Sequence, residues 1–389
     1  MEKSPSGSLP AHRFGFIFCS LLIFLVGWVM VFNTSSAEVL HRFLDKDTHF
    51  AAIKQLTAGA IGMALGFITY RLGYRFVWKI APFVFWGCCL LLVMVLIPGV
   101  GQLINGARRW VYFAGFSLQP SEIAKYVLPF ACVYELSQVK KLTFALFLRK
   151  MFKLCIPVAL VLLQPDNASV FVLLLSMVAA LFIMRIDMKY WLLPMLAVGV
   201  LGIAIASQMP HVPARIRTYL NPEQDLLGKG HQPFQAKIAT GSGGLLGKGI
   251  GRSLQKLEYL PEAQNDYIAA IYAEEFGFIG ILLLLGAYLV MALCGFRLAI
   301  FATSRVGFQL AASLLFVFLI QVFLNLGVVC GLVPSTGMNL PFFSQGGTSL
   351  IIHGVLLGFL LSLEGPAPEI LIEARTGVLS KLDKKQKEA

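Results

Sequence analysis

The sequence predicts an all-α polytopic membrane protein with ten transmembrane segments, and two observations carry this prediction. The first is composition: 57% of the 389 residues are hydrophobic and only 13% are charged, whereas soluble domains carry roughly 25% charged residues. The second is patterning, because apolar runs, several near the roughly 20 residues that cross a bilayer, alternate with polar stretches. We therefore expect one integral membrane domain over residues 1–389.

The net charge of +12 does not indicate a nucleic-acid partner. The basic residues lie in short clusters between apolar runs, where the positive-inside rule accounts for them. The seven cysteines are odd in number, lie in or beside apolar segments and lack metal-ligand spacing. Structural packing is the better interpretation of these cysteines.

The first apolar run covers residues 14–32 and follows a short polar N-terminus. It is long for the apolar part of a signal peptide, and no cleavage site of small residues follows promptly. We interpret it as the first transmembrane helix. Nine further segments are predicted at 56–70, 80–97, 120–136, 151–163, 168–184, 190–207, 276–294, 307–333 and 348–363.

Orientation follows from the loops, because Lys and Arg concentrate in alternate ones and are absent from 164–167 and 334–347. This places both termini in the cytoplasm, with a cytoplasmic N-terminal tail at 1–13 and C-terminal tail at 364–389. A large extracytoplasmic loop, 208–275, then joins segments 7 and 8.

Segments 151–163 and 168–184 are each short for a full span. They form either two thin spans or a re-entrant hairpin, joined by Gln164-Pro165-Asp166-Asn167. Broken backbone at membrane depth is tolerated only against protein or a water-filled cavity. Asp166 therefore either lines a cavity as a substrate-binding residue or caps a helix at a tight outer turn.

The large loop holds a glycine-rich run, Gly241-Ser-Gly-Gly-Leu-Leu-Gly-Lys-Gly-Ile-Gly251. It is not a nucleotide-binding motif: Ser242 occupies the first glycine position of a Walker sequence, and Gly249 follows Lys248 where Ser or Thr is required. Two interpretations remain: a flexible turn, or a backbone surface that a large ligand can approach closely.

Cationic residues surround the glycine-rich run and form a basic outer surface. Such a surface suits a pyrophosphate or carboxylate ligand, or phospholipid headgroups. The residues are Arg215, Arg217, Lys229, Lys237, Lys248, Arg252 and Lys256.

Three of the acids that follow in the same loop are candidates for a role. Asp266 lies just before an apolar helix, where a carboxylate is suited to act as a general base on a sugar hydroxyl, to hold a divalent cation such as Mg²⁺ or Mn²⁺, or to cap the helix. Glu274 and Glu275 lie deeper, where acids are expensive. We expect structural ion pairs for those two.

Polar residues also mark the other outer stretches. Pro120 fits a helix start, and Glu122 and Lys125, three apart, share a helix face and can pair. Asn325 lies inside an apolar span, where such a residue more often satisfies a neighbouring helix than a substrate. The uncharged 334–347 loop, with its prolines and glycines, predicts a fixed shape.

Taken together, these blocks resemble the SEDS family, the shape, elongation, division and sporulation proteins. The resemblance spans nearly all ten segments in order. Its motifs are Gly106-Ala-Arg-Arg-Trp110, Gln119-Pro-Ser-Glu122 with Lys125, Gln164-Pro-Asp166, Gly241-Ser-Gly-Gly244 with Gly247-Lys-Gly249, Leu260-Pro-Glu262 through Asp266 to Gly277, and the Pro334 to Gly347 loop.

The resemblance implies a peptidoglycan glycosyltransferase in the cytoplasmic (inner) membrane. Its substrate would be lipid II, the undecaprenyl-pyrophosphate-linked disaccharide-pentapeptide, polymerised at the outer face without an organic cofactor. Implied partners are a class B penicillin-binding protein that crosslinks the strand and other division proteins. A transporter or flippase of lipid II, or a non-catalytic division scaffold, are the rival interpretations.

The resemblance also assigns roles. It makes Asp266 the catalytic residue and places Glu122 and Lys125 near it in a central cavity. From their charge, rather than from the resemblance, we expect one or more of Arg109, Lys125, Lys248 and Arg252 to offset the leaving group's negative charge.

Features at 253–263 resemble the branch for septal synthesis at the division site more than the elongation branch. Three residues depart from the family pattern: Gln264-Asn265 precedes the aspartate, and Thr336 and Gln345 stand in the last outer loop.

Overall fold

The structure is a computed structural model of the chain. It describes residues 10–42, 48–104, 107–113, 116–196, 219, 230–258, 260 and 263–364. Most of both predicted tails and much of the 208–275 loop, including Arg215, Arg217 and Lys229, lie outside the described residues.

Ten helices and three strands make up the described part. In chain order they are α1 (Ala11–Arg42), α2 (Phe50–Leu96), β1 (Gly101–Ile104), β2 (Ala107–Phe113), β3 (Phe116–Leu118), α3 (Pro120–Ser137), α4 (Phe144–Leu162), α5 (Asn167–Ile183), α6 (His231–Ser242), α7 (Gln255–Glu258), α8 (Ile268–Ile300), α9 (Arg305–Val329) and α10 (Gly347–Ser362). Residues 188–196 are also helical, which is all that the structure describes of the predicted 190–207 segment.

Several of these helices suit a bilayer. Among the described residues, four are long and apolar enough to cross a membrane: α2, α8, α9 and the Ala11–Ser36 part of α1. Segments 56–70 and 80–97 both lie in α2, which breaks at Gly73, where φ is 77° and ψ is 160°. The predominantly helical membrane fold is therefore confirmed.

The prediction of an all-α fold is wrong at one place, because a small antiparallel sheet follows α2. Its strand order is β1-β2-β3, with Gly101 opposite Val111 and Val111 opposite Leu118. The sequence signal was Asn105-Gly106, a dipeptide typical of tight hairpin turns. The sheet carries Arg109 on its central strand.

Glycines allow α2 and α10 to pack backbone to backbone. A Cβ atom at Gly66 would lie 2.3 Å from the Gly354 carbonyl oxygen, and one at Gly358 would lie 1.9 Å from the Gly66 oxygen. Small residues spaced four apart let membrane helices approach this closely. This contact fixes α10, which begins directly after the 334–347 loop.

The glycine-rich run is held by backbone hydrogen bonds to α8, while Gly244 and Gly251 within it are exposed. The run meets α8 at a break in that helix at Gly277. There φ is 67° and ψ is −164°, a conformation essentially restricted to glycine. The amides of Lys248 and Gly249 donate to the carbonyls of Glu274 and Glu275, at 3.0 Å each.

The other side of the break is satisfied in the same way. Phe278 N donates to Gly244 O at 2.9 Å, and Ile279 N donates to Leu245 O at 3.2 Å. Broken helices in membranes persist where neighbouring backbone satisfies the freed groups. The glycines are needed because a Cβ atom at Gly247 would lie 2.1 Å from the Glu275 oxygen.

Candidate functional site

Asp266 lies at the start of α8 and is half-buried. Its backbone is held from α9, where Asn325 Nδ2 donates to the carbonyls of Asp266 at 2.9 Å and Met338 at 2.7 Å. Gln345 N donates to the carbonyl of Gln264 at 2.9 Å. The 264–266 segment and the 334–347 loop are thereby tied together.

The N-cap residue of α8 is Tyr267, which makes no side-chain cap bond. Burial, and secondarily the neighbouring Asp266 carboxylate, raise the pKa of Tyr267 above its usual value. Its phenol therefore stays protonated at neutral pH. Gly337 is close on the loop side, since a Cβ atom there would lie 3.4 Å from Asp266 Oδ2.

Glu122 and Lys125 form a buried ion pair on the first two turns of α3. Lys125 Nζ lies 2.6 Å from Glu122 Oε1, and the lysine side chain is only 1% exposed. Gln321 of α9 also accepts from Lys125, at 3.3 Å. In this structure the pair lies beneath the site surface.

The helix α9 links this pair to Asp266. Gln321 holds Lys125, while Asn325, four residues later, holds the backbone of Asp266. Residues four apart lie on one helix face, about 6 Å apart along the axis. The structure thus brings Glu122, Lys125 and Asp266 to one side of α9.

Asp166 is the N-cap of α5 and accepts from Ser169 N at 3.3 Å and from Ser121 Oγ at 3.1 Å. Arg109 reaches the same turn. Its guanidinium lies 3.9 Å from Asp166 Oδ1 and donates to the backbone oxygens of Gln164 and Pro165. Of the two interpretations of Asp166, the helix cap describes its contacts, and the α4–α5 pair is thereby joined to β2.

The deeper acids form ion pairs, as expected. Lys248 Nζ lies 2.6 Å from Glu274 Oε1, and Lys256 Nζ lies 2.7 Å from Glu275 Oε1. Asn33 of α1 donates to Glu275 at 2.6 Å. Lys248 is therefore ion-paired with Glu274 in this structure.

Arg252 has a different environment from Lys248. It is exposed, and the described part of the chain contains no ion pair for it. Among the described residues there is also no group of three His, Cys, Asp or Glu side chains arranged to hold a metal ion.

Several polar residues of the site were not singled out from the sequence. They are Gln321, Tyr126 and His353, which lie in apolar helices. Polar side chains at membrane depth are rare and usually mark function or partners, and the spacing of Gln321 and Asn325 was the available signal.

Fold and site together define a multi-pass membrane protein in which the 264–266 segment and the 334–347 loop meet at one half-buried carboxylate. Residues 13–366 match the model of the FtsW/RodA/SpoVE cell cycle protein family, and the chain belongs to this family.

Among its relatives, a probable peptidoglycan glycosyltransferase FtsW from Trichlorobacter lovleyi is 36% identical, covering 87% of this chain and 89% of the relative. Stage V sporulation protein E of Bacillus subtilis is 35% identical, covering 89% of this chain and 95% of the relative.

Solved structures agree with this assignment. A chain from a peptidoglycan synthase complex that coordinates polymerization and crosslinking is 28% identical with a TM-score of 0.72, covering 91% of this chain and 98% of that one. The rod shape determining protein RodA of Thermus thermophilus is 27% identical with a TM-score of 0.64, covering 90% and 95%.

Proposed function

We propose that this protein is a peptidoglycan glycosyltransferase that polymerises lipid II, with Asp266 as its catalytic base. One observation carries the assignment of the base. Asp266 is partly exposed, and Asn325 holds its backbone at the point where the 264–266 segment meets the 334–347 loop.

In the proposed reaction, the Asp266 carboxylate accepts the proton of an acceptor sugar hydroxyl. The hydroxyl oxygen attacks the anomeric carbon of the donor, and undecaprenyl pyrophosphate leaves. The amide of Asn325 fixes the backbone of Asp266, so the carboxylate needs little reorganisation before reaction.

The leaving pyrophosphate needs positive charge. Arg252 is exposed, and the Arg109 side chain is about one-third exposed beside the α4–α5 turn, so these two arginines are the best candidates for direct contact. Lys125 and Lys248 support the site from within their ion pairs. A divalent cation bound by Asp266 would take its other oxygen ligands from the substrate.

The membrane arrangement is proposed with the function. Ten spans with both termini in the cytoplasm put Asp266 on the outer face, where the 208–275 loop begins and ends. A class B penicillin-binding protein is the proposed partner, on the analogy of the synthase complex that this chain resembles. Similarity to relatives named FtsW favours septal synthesis with other division proteins.

The test is lipid II polymerisation by the purified protein with its class B partner, comparing wild type with Asp266→Asn. We expect glycan strands from wild type and a loss of about 10²–10⁴-fold in the variant, the usual contribution of a general base. Equal thermal midpoints for the two proteins would exclude misfolding.

Two results would contradict the proposal. If wild type moved lipid II across liposome membranes without making glycosidic bonds, the transporter interpretation would replace it. If Asp266→Asn polymerised at the wild-type rate, a different base would be required.

A further inference from the structure

A chain of buried polar side chains continues beyond Lys125 into α10. Gln321 accepts from Lys125 through Oε1, and its Nε2 donates to the Tyr126 hydroxyl at 2.9 Å. His353 Nε2 lies 3.0 Å from the same hydroxyl, and His353 Nδ1 lies 3.5 Å from Ser349 Oγ. All five side chains are buried, so water does not compete for these bonds.

The lysine sets the direction of every bond in this chain. An ammonium group only donates, so Gln321 turns its oxygen to Lys125 and its NH₂ group to Tyr126. The Tyr126 oxygen then accepts from Gln321, and its hydrogen is donated to His353 Nε2. The remaining ring hydrogen of His353 then lies on Nδ1, towards Ser349 Oγ.

Aromatic contacts hold the acceptor in place. The His353 ring lies 5.7 Å from the rings of Tyr126 and Phe318 and 5.3 Å from that of Phe342, between centroids. Phe342 belongs to the same loop as Met338. His353 is therefore a fixed acceptor between α3, α9 and the outer loop.

The other end of the chain reaches the backbone of Asp266. Gln321 shares a face of α9 with Asn325, whose amide bonds the carbonyls of Asp266 and Met338. A rotation of α9 that broke the Gln321 bonds would also move Asn325, because both side chains project from one rigid helix.

We infer that Tyr126 and His353 are positioning residues for the reaction at Asp266, an inference that rests on the proposed function. They fix the amide of Gln321, and with it the face of α9 that holds Asp266. Without His353, the Tyr126 hydroxyl hydrogen loses its acceptor and competes for the side-chain oxygen of Gln321, the residue from which Tyr126 otherwise accepts. Gln321 is then free to present its NH₂ group to Lys125, which costs free energy because a buried cation loses an acceptor.

The test uses the full-length protein with its class B partner, lipid II as substrate, and the variants His353→Leu, Tyr126→Phe and His353→Gln. We expect kcat to fall on the order of tenfold to a hundredfold in His353→Leu and Tyr126→Phe, because small displacements of a catalytic group are costly. KM should stay close to wild type, whereas the thermal midpoint should fall modestly, because a buried donor loses its acceptor. His353→Gln should recover most of kcat, since its amide oxygen can accept from Tyr126.

The double variant His353→Leu/Tyr126→Phe should be no slower than the slower single variant, because both cut one chain. Phe359→Leu is the matched control. Phe359 is buried on α10 and packs against Phe130 at 5.6 Å, outside the chain, so its kcat should be unchanged.

A wild-type kcat in His353→Leu and Tyr126→Phe would overturn the inference while leaving the proposed function intact. So would equal losses in His353→Gln, His353→Leu and Phe359→Leu, since that pattern indicates general packing. If His353→Leu misfolds, Tyr126→Phe and His353→Gln still decide the matter. Failure of wild type to form strands would instead contradict the proposed function.

Discussion

Asp266 and the pair Glu274–Glu275 lie within ten residues of each other, yet their surroundings are opposite. Glu274 and Glu275 have side chains that are 0% exposed, and each accepts from a lysine. Asp266 is half-exposed and is held through its backbone carbonyl. Acids buried with a cation are enclosed by the fold, whereas Asp266 is partly exposed at a junction of two loop segments, where a substrate can approach it.

The largest loss of stability is expected from Lys256→Met, which removes the cation paired with the buried Glu275. Glu275 would remain buried without its cation, and removing one partner of a buried pair costs about 3–5 kcal/mol. The free energy of unfolding in detergent, measured with denaturant, checks this.

Lys189→Met is the control for that loss. Lys189 also pairs with an acid, Asp187, but both side chains are more than 60% exposed, so no measurable change is expected. If Lys256→Met were as stable as Lys189→Met, the Glu275 pair would not be structural.

A smaller loss of stability is expected from Gly277→Ala, which changes the residue at the break in α8. The left-handed φ of 67° and a Cβ position 2.3 Å from Gly247 N both oppose alanine, and such strain costs about 1–3 kcal/mol. Gly286 lies in the same helix with no atom near its Cβ position. Gly286→Ala should therefore unfold at or slightly above the wild-type midpoint. A similar midpoint for Gly277→Ala would show that the break in α8 does not require glycine.

The smallest effects should separate two cations that the sequence could not tell apart. Lys248→Met should lower the free energy of unfolding by about 1 kcal/mol, because its side chain is one-third exposed and its partner is buried. Arg252→Met should leave stability unchanged and raise KM for lipid II, because Arg252 is exposed. The opposite assignment of effects would exchange their roles.

The sequence predicted those features that depend on composition along the chain. Apolar runs located the longer helices but not α6 and α7, which lie in the predicted 208–275 loop. The deep acids Glu274 and Glu275 implied partners, because a charge at that depth must be paired. The order of the motifs also identified the family.

Features that depend on contacts between distant residues were not predictable in the same way. The glycine-rich run satisfies a break in α8 some thirty residues away, and nothing in its own sequence specifies that partner. Asn325 was expected to satisfy a neighbouring helix, but the structure shows it bridging two loops instead. The partners of Gln321 and His353 likewise follow only from helix packing.

The hydrogen bonds across the α8 break at Gly277 have a consequence for hydrogen exchange. Four amides donate across the break, those of Lys248, Gly249, Phe278 and Ile279. None of these bonds can open without disturbing both the glycine-rich run and α8. These four amides should exchange with deuterium at a common rate, as one cooperative unit. Opening of that unit would also release the first turns of α8, so the slowest motion of the 241–251 run and that of Asp266 should share one time constant.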